Sequence, residues 1–113
     1  MGKAITDRRP WGYFERFTLN ERTTVKLLHV KAGKRLSYQY HKNRSEFWKV
    51  VKGEVRAVLK GKPIRLSEGD SVKVPARTPH RIEGIKDAIV LEIAYGKFDE
   101  EDIVRIEDDY NRA

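Results

Sequence analysis

The chain has 113 residues, of which 36% are charged and 39% hydrophobic, with no cysteine and a formal net charge of +7. That length suits one domain around one hydrophobic core, and the composition is that of an ordered, highly charged protein. The absence of cysteine excludes disulfides and thiolate metal sites, and no apolar run approaches the ~18 residues a membrane span needs.

No signal-peptide apolar block opens the chain, so the expectation is a cytoplasmic protein without membrane contact. The opening MGKAIT fits the outline for N-myristoylation, a pattern that many chance N-termini share. The positive charge favours anionic partners. Lys and Arg are scattered along the chain rather than gathered in a block. That distribution fits either a solvated basic surface or a few arginines converging on a small anion such as phosphate. A nucleic-acid interface would favour aromatic and basic residues interleaved on one strand face, and no such pattern is seen.

The whole chain, 1–113, reads as a single domain, with residues 1–8 as a flexible N-terminal extension. TTVKLLHVKAG is β-branched and ends at Ala32-Gly33. EFWKVVKGEVRAVLKGKPIRL reads as two strands meeting at Lys52-Gly53, then a hairpin around Lys60-Gly61-Lys62-Pro63. SEGDSVKVPARTPH is a turn and a brief strand that breaks at Pro75, and DAIVLEIAYG is an apolar, buried strand. Many short strands bounded by Gly, Pro or Asp predict an all-β antiparallel sandwich or barrel. DEEDIVRIEDDYNR carries Ile103, Ile106 and Tyr110 at spacings of three and four. It predicts either a short helix or an irregular turn with an extended tail.

Within SYQYHKNRSEFW, strand alternation puts Ser37, Gln39 and His41 on one face and Tyr38 and Tyr40 on the other. After a turn through KNRS, Glu46, Trp48 and Val50 again share a face. A hairpin would bring Gln39, His41 and Glu46 together inside a barrel, and His80 could close the group from a neighbouring strand. Two imidazoles, a carboxylate and an amide oxygen form an N/O shell for a divalent ion. A lone strand histidine is more often merely hydrogen-bonded, and His29, without partners at ligand spacing, is read that way. Glu92, amid Val90, Leu91, Ile93 and Ala94, is an odd carboxylate. Burial would raise its pKa and fit it for proton transfer near neutrality. The bland alternative is an interior partner or a solvated face.

The spacing Gly33-x5-Gln39-x-His41-x4-Glu46-x6-Gly53 resembles the first motif of the cupin superfamily, with Gln39 where His is usual. Gly69-x5-Pro75-x-Arg77-x2-His80 resembles the second, with Arg77 in place of Gly. With RPWGYFE, VPARTPHRIE and DEEDIVRIEDDYNR added, nearly the entire chain, from Arg9 to Arg112, resembles the type II mannose-6-phosphate isomerase domain. In that family the unit is commonly the C-terminal half of a bifunctional enzyme, and here it reads as standing alone. Phe47 sits where the family usually has His, Gly84 where it often has Asn, and Ala94 where it often has Gln.

The resemblance implies a cupin (double-stranded β-helix, jelly-roll) barrel, a divalent metal (Zn, Mn, Co, Fe or Mg) and a homodimer. It also implies interconversion of mannose 6-phosphate and fructose 6-phosphate, most simply through a cis-enediol. Gln39, His41, Glu46 and His80 would hold the metal, and Glu92 would move the proton. Arg9, Arg105 and Arg112 would anchor the phosphate, with both termini folded over the barrel mouth, and Arg44 and Arg81 are second choices. Rival readings are a phosphoglucose-type cupin isomerase and a non-catalytic sugar- or anion-binding cupin; the second has no need of Glu92.

Overall fold

In the computed structural model, residues 5–112 are described, and they form eleven strands and no helix. β1 (Ile5–Arg9) and β2 (Gly12–Arg16) make a hairpin. β3 (Thr23–Val30), β10 (Ala88–Tyr95), β5 (Ser45–Lys52) and β8 (Ser71–Val74) follow one another across a four-stranded sheet. β11 (Val104–Glu107), β4 (Tyr38–Tyr40), β9 (His80–Gly84), β6 (Glu54–Leu59) and β7 (Lys62–Ser67) form a five-stranded one. Every pairing is antiparallel.

The two larger sheets face each other across a core that includes Val30, Trp48, Val50, Val55, Ala57, Val74, Ile82 and Val90. Alternation supplies this core: Val55 and Ala57 of β6 are buried while Arg56 between them is exposed. The turns carry the expected chemistry. Lys60 and Gly61 both have positive φ, the primed geometry that matches strand twist. Gly53 joins β5 to β6 at φ +82°, where a Cβ would come within 2.2 Å of the Asp87 carbonyl oxygen. Only glycine fits there. Pro63 lies on β7, an edge strand where its missing N–H is harmless.

A second apolar cluster sits on the outer face of the four-stranded sheet. Phe47, Ile93 and Tyr95 are buried there against Phe17 and Leu91, with the Phe17 and Phe47 rings 5.5 Å apart. Lys49 Nζ reaches Glu15 at 2.6 Å, tying the end of β2 to the same face.

One expectation needs correction. Residues 5–8 are part of a paired strand rather than a flexible extension; the rest of that stretch, with the myristoylation pattern's Gly2, lies outside the described residues. Of the two readings of the C-terminal segment, the turn with an extended tail holds: it turns at 99–102 and runs as β11 along β4. Ile106 and Tyr110 are about half exposed, so their helical spacing marks no buried stripe. The unpaired edge of β4 offers this segment backbone hydrogen bonds that override its local pattern. No helix among the described residues is long and apolar enough to cross a membrane.

Candidate metal centre

β4 and the start of β5 bracket the turn 41–44, and β9 begins at His80 beside Gln39 of β4. This topology gathers His41, Glu46 and His80 with one ligand atom each inside a 4.8 Å group, all three buried. His41 Nε2 lies 3.6 Å from Glu46 Oε2, and His80 Nε2 lies 3.6 Å from Glu46 Oε1. His41 Nδ1 donates to the Asp102 carbonyl at 2.7 Å, and His80 Nδ1 donates to the Thr78 carbonyl at 2.7 Å. Each backbone acceptor fixes the tautomer, turning the Nε2 lone pair toward Glu46.

Burial lowers both imidazole pKa values, opposed by the Glu46 charge and the two backbone acceptors. Arg44 pushes both further down, and His41 also disfavours charge on His80. Neutral rings are the form that binds a metal. His80 Nε2 is buried without a hydrogen-bond partner, an expensive arrangement in an ordinary core. The donor set and this orphaned nitrogen fit a divalent ion. Gln39 borders the group: its amide nitrogen is 3.4 Å from His41 Nε2, and its oxygen accepts from the Ser37 hydroxyl. The opposite amide orientation would turn that oxygen toward the imidazoles.

Other groups hold the cluster in place. The Trp48 indole donates to Glu46 Oε1 at 3.2 Å and stands edge-on to His80. Arg44, 8% exposed, donates to Glu46 Oε2 at 3.4 Å, to His41 Nε2 at 3.3 Å and to the Asp99 carbonyl at 3.1 Å. It also stacks on Phe98. A second-rank residue on sequence grounds, Arg44 is therefore central.

The cluster opens into a cavity of about 390 Å³, whose wall includes Gln39, Glu46, Glu92, Lys26, Arg105 and Arg112. Glu92 faces the interior with Val90 and Ala94, as alternation requires, and is 8% exposed. Burial first, then the Glu46 charge, raises its pKa to about 7, against the pull of Lys26, Arg44 and the Trp48 indole. The bland alternative of a solvated face is excluded.

The three arginines part company. Arg105, opposite Gln39 on β11, lines the cavity, and its Nε is buried without an acceptor. Arg112 also lines it, but its guanidinium donates twice to Asp108. Arg9 is not part of the wall; in its separate hairpin it pairs with Asp7 and lies over Phe14. Among the described residues of the two ends, only those of the C-terminal end line the cavity. His29 lies apart from the cluster on exposed surface, and Trp11 is 73% exposed. Arg81 donates to the Leu36 carbonyl and to Glu107, away from the cavity.

Sequence reasoning missed Asp102, Lys26 and Phe98. Asp102 lies 61 residues from His41 and acts on it through a main-chain oxygen, for which no side-chain motif exists.

Residues 3–108 match the family model described as mannose-6-phosphate isomerase C-terminal. The chain belongs to that family. It is 37% identical over 108 residues to the mannose-1-phosphate guanylyltransferase ManC of Salmonella typhimurium, and 36% identical to the alginate biosynthesis protein AlgA of Pseudomonas aeruginosa. Each match takes in 93% of this chain but 22% of the relative, so the chain spans about a fifth of the curated relatives' length.

Among solved structures, KdgF from Halomonas sp. superposes with a TM-score of 0.67 at 21% identity, covering 75% of this chain and 78% of that one. The Streptomyces protein PAC13 superposes at 0.70 and 16% identity, covering 93% and 85%. These likenesses establish the cupin jelly-roll fold. Two of the three departures from the family pattern have local explanations, and Ala94 has none. Phe47 packs under Phe17 on the outer face, and a Cβ on Gly84 would come within 2.3 Å of the Lys31 carbonyl oxygen.

Proposed function

We propose that the chain is a metal-dependent aldose–ketose isomerase that interconverts mannose 6-phosphate and fructose 6-phosphate through a cis-enediol. The observation that carries this reading is Glu92, a buried carboxylate in the wall of the cavity that Glu46 and Gln39 also line. An anion-binding cupin would have no use for a carboxylate that loses its hydration there. The family and the mannose-phosphate chemistry named for its relatives support the substrate class.

His41, Glu46 and His80, with Gln39 at the edge, would hold a divalent ion, which when bound supplies Lewis-acid polarisation of the sugar's carbonyl oxygen. The Glu92 carboxylate takes the hydrogen on C2 as a proton, the C–H electron pair becomes the C1–C2 double bond, and the C1=O π pair moves onto O1. The carboxyl then returns the proton to C1 while the O2 hydroxyl proton passes to O1, giving the ketose. A pKa near 7 lets Glu92 serve in both directions. Arg105, whose Nε has no acceptor, is the leading phosphate anchor, with Lys26 as a second cation in the wall. Phe98 and Ile103 add apolar wall to the same cavity.

Glucose 6-phosphate gives the same enediol, because it differs from mannose 6-phosphate only at C2. The phosphoglucose-type reading therefore uses the same residues and differs in the face of proton delivery. The test is a coupled assay of purified protein with both sugars, after chelation and again with Zn, Mn, Co, Fe or Mg restored. Metal-dependent formation of fructose 6-phosphate from mannose 6-phosphate is expected. Turnover of glucose 6-phosphate alone would support the phosphoglucose type. Metal binding without any turnover would favour the anion-binding module.

A further inference from the structure

The two imidazoles of the cluster are held in opposite ways. His80 donates to Thr78, two residues away in the turn that precedes β9. His41 depends on a segment from the far end of the chain, the strap 96–103 between β10 and β11. Three of the four residues in the turn 41–44 are fastened to that strap by Asp102 alone. Its carbonyl accepts from His41 Nδ1 at 2.7 Å, and its carboxylate accepts from the Lys42 and Asn43 amides at 2.8 and 2.9 Å. The fourth, Arg44, donates to the Asp99 carbonyl of the same strap and stacks on Phe98.

We propose that Asp102 is a positioning residue of the metal centre: its carboxylate clamps the 41–44 turn so that its own carbonyl sets the tautomer and direction of His41. The proposal deepens the metal-centre reading above and rests on it. A carboxylate accepting two backbone amides is a strong, directional clamp, because both bonds are charge-assisted and share one rigid plane. Without it Lys42 and Asn43 would be released from the strap, leaving the turn tied to it only at Arg44. The His41 ring would then lose the acceptor that points its Nε2 toward Glu46. His80 would be unaffected, since its acceptor is local.

The test uses Co(II) alone as the probe, titrated into the metal-free chain and read by calorimetry and by the ion's visible absorption. Asp102→Ala should weaken Co(II) binding about 10–100-fold, the usual cost of losing a group that orients a metal ligand, and change the absorption band. Asp102→Asn can accept only one of the two amides through its single carbonyl oxygen and should fall between. Asp109→Ala removes a comparable carboxylate, paired with Arg35 on the surface, and should bind Co(II) like wild type.

If wild type binds no Co(II), the metal-centre reading fails and the proposal falls with it. If wild type binds but Asp102→Ala matches it in affinity and spectrum, the positioning role is overturned while the metal centre stands. If Asp102→Ala does not fold, Asp102→Asn decides: wild-type affinity and spectrum overturn the proposal, and weaker binding with an altered band at an unchanged metal-free melting temperature supports it.

Discussion

Strands β5 and β10 lie side by side in the four-stranded sheet, and their two faces have diverged. Glu46, Trp48, Glu92 and Ala94 point into the barrel, where two carboxylates are buried among Arg44, Lys26 and the imidazoles. One residue along, Phe47 and Ile93 point outward and are sealed by Phe17. The inner face tolerates charge because each carboxylate meets a cation, an indole or a neutral imidazole. The outer face needs only apolar volume. A period of two thus lets one pair of strands serve chemistry and packing at once. It also means that neighbouring substitutions should have unlike effects.

Four substitutions sharpen that contrast. His80→Ala should abolish metal retention and turnover together; metal content of the purified variant, measured beside its activity, checks this. Full activity in metal-stripped protein would contradict the role given to the ion. Glu92→Gln should leave metal content intact and lower kcat by about 10²–10⁴-fold. Arg105→Ala should raise the KM for the phosphorylated sugar about 10–100-fold with a smaller change in kcat, as expected for loss of a charged hydrogen-bonding group. An unchanged KM would place the anchor at Lys26 or Arg112.

On the outer face, Phe47→Ala should cost about 3 kcal/mol of stability through the cavity it leaves, with kcat/KM of the folded protein preserved. Denaturant unfolding and steady-state kinetics at low temperature separate these. Loss of activity without loss of stability would show that the two faces are coupled.

Glu92 also gives the comparison a pH signature. Its folded pKa, about 7, lies above the value of 4.5 expected unfolded, so the folded chain binds more protons between those values. Relative to Glu92→Gln, chelated wild type should therefore lose stability as pH rises from 4.5 through 7, by about 3 kcal/mol in the limit. The lowered His41 and His80 pKa values act the other way in both proteins and cancel in that difference. Equal slopes in the two proteins would mean that Glu92 ionises without penalty.

The sequence was most informative where alternation and turns act locally. Gln39, His41 and Glu46 could be placed together because KNRS is a turn and the flanking residues keep their faces. Glu92 could be placed in the interior because its neighbours in the strand are apolar. The C-terminal segment resisted, since the free edge of β4 rather than its own spacing decided that it would be a strand. Arg9 resisted for a related reason: nothing local says that its hairpin forms a separate sheet. Asp102 and Lys26 act only through long-range contacts, Asp102 on the 41–44 turn and Lys26 opposite Glu92 in the sheet.

The most direct test of the central claim is to run the metal-loaded protein on mannose 6-phosphate in D2O and locate deuterium in the fructose 6-phosphate formed. Proton transfer through Glu92 predicts deuterium at C1, because a carboxyl proton exchanges with solvent. It also predicts that Glu92→Gln yields almost no product. Product carrying no deuterium, formed equally well by Glu92→Gln, would contradict the account, since hydrogen would then have moved between the carbons without visiting that side chain.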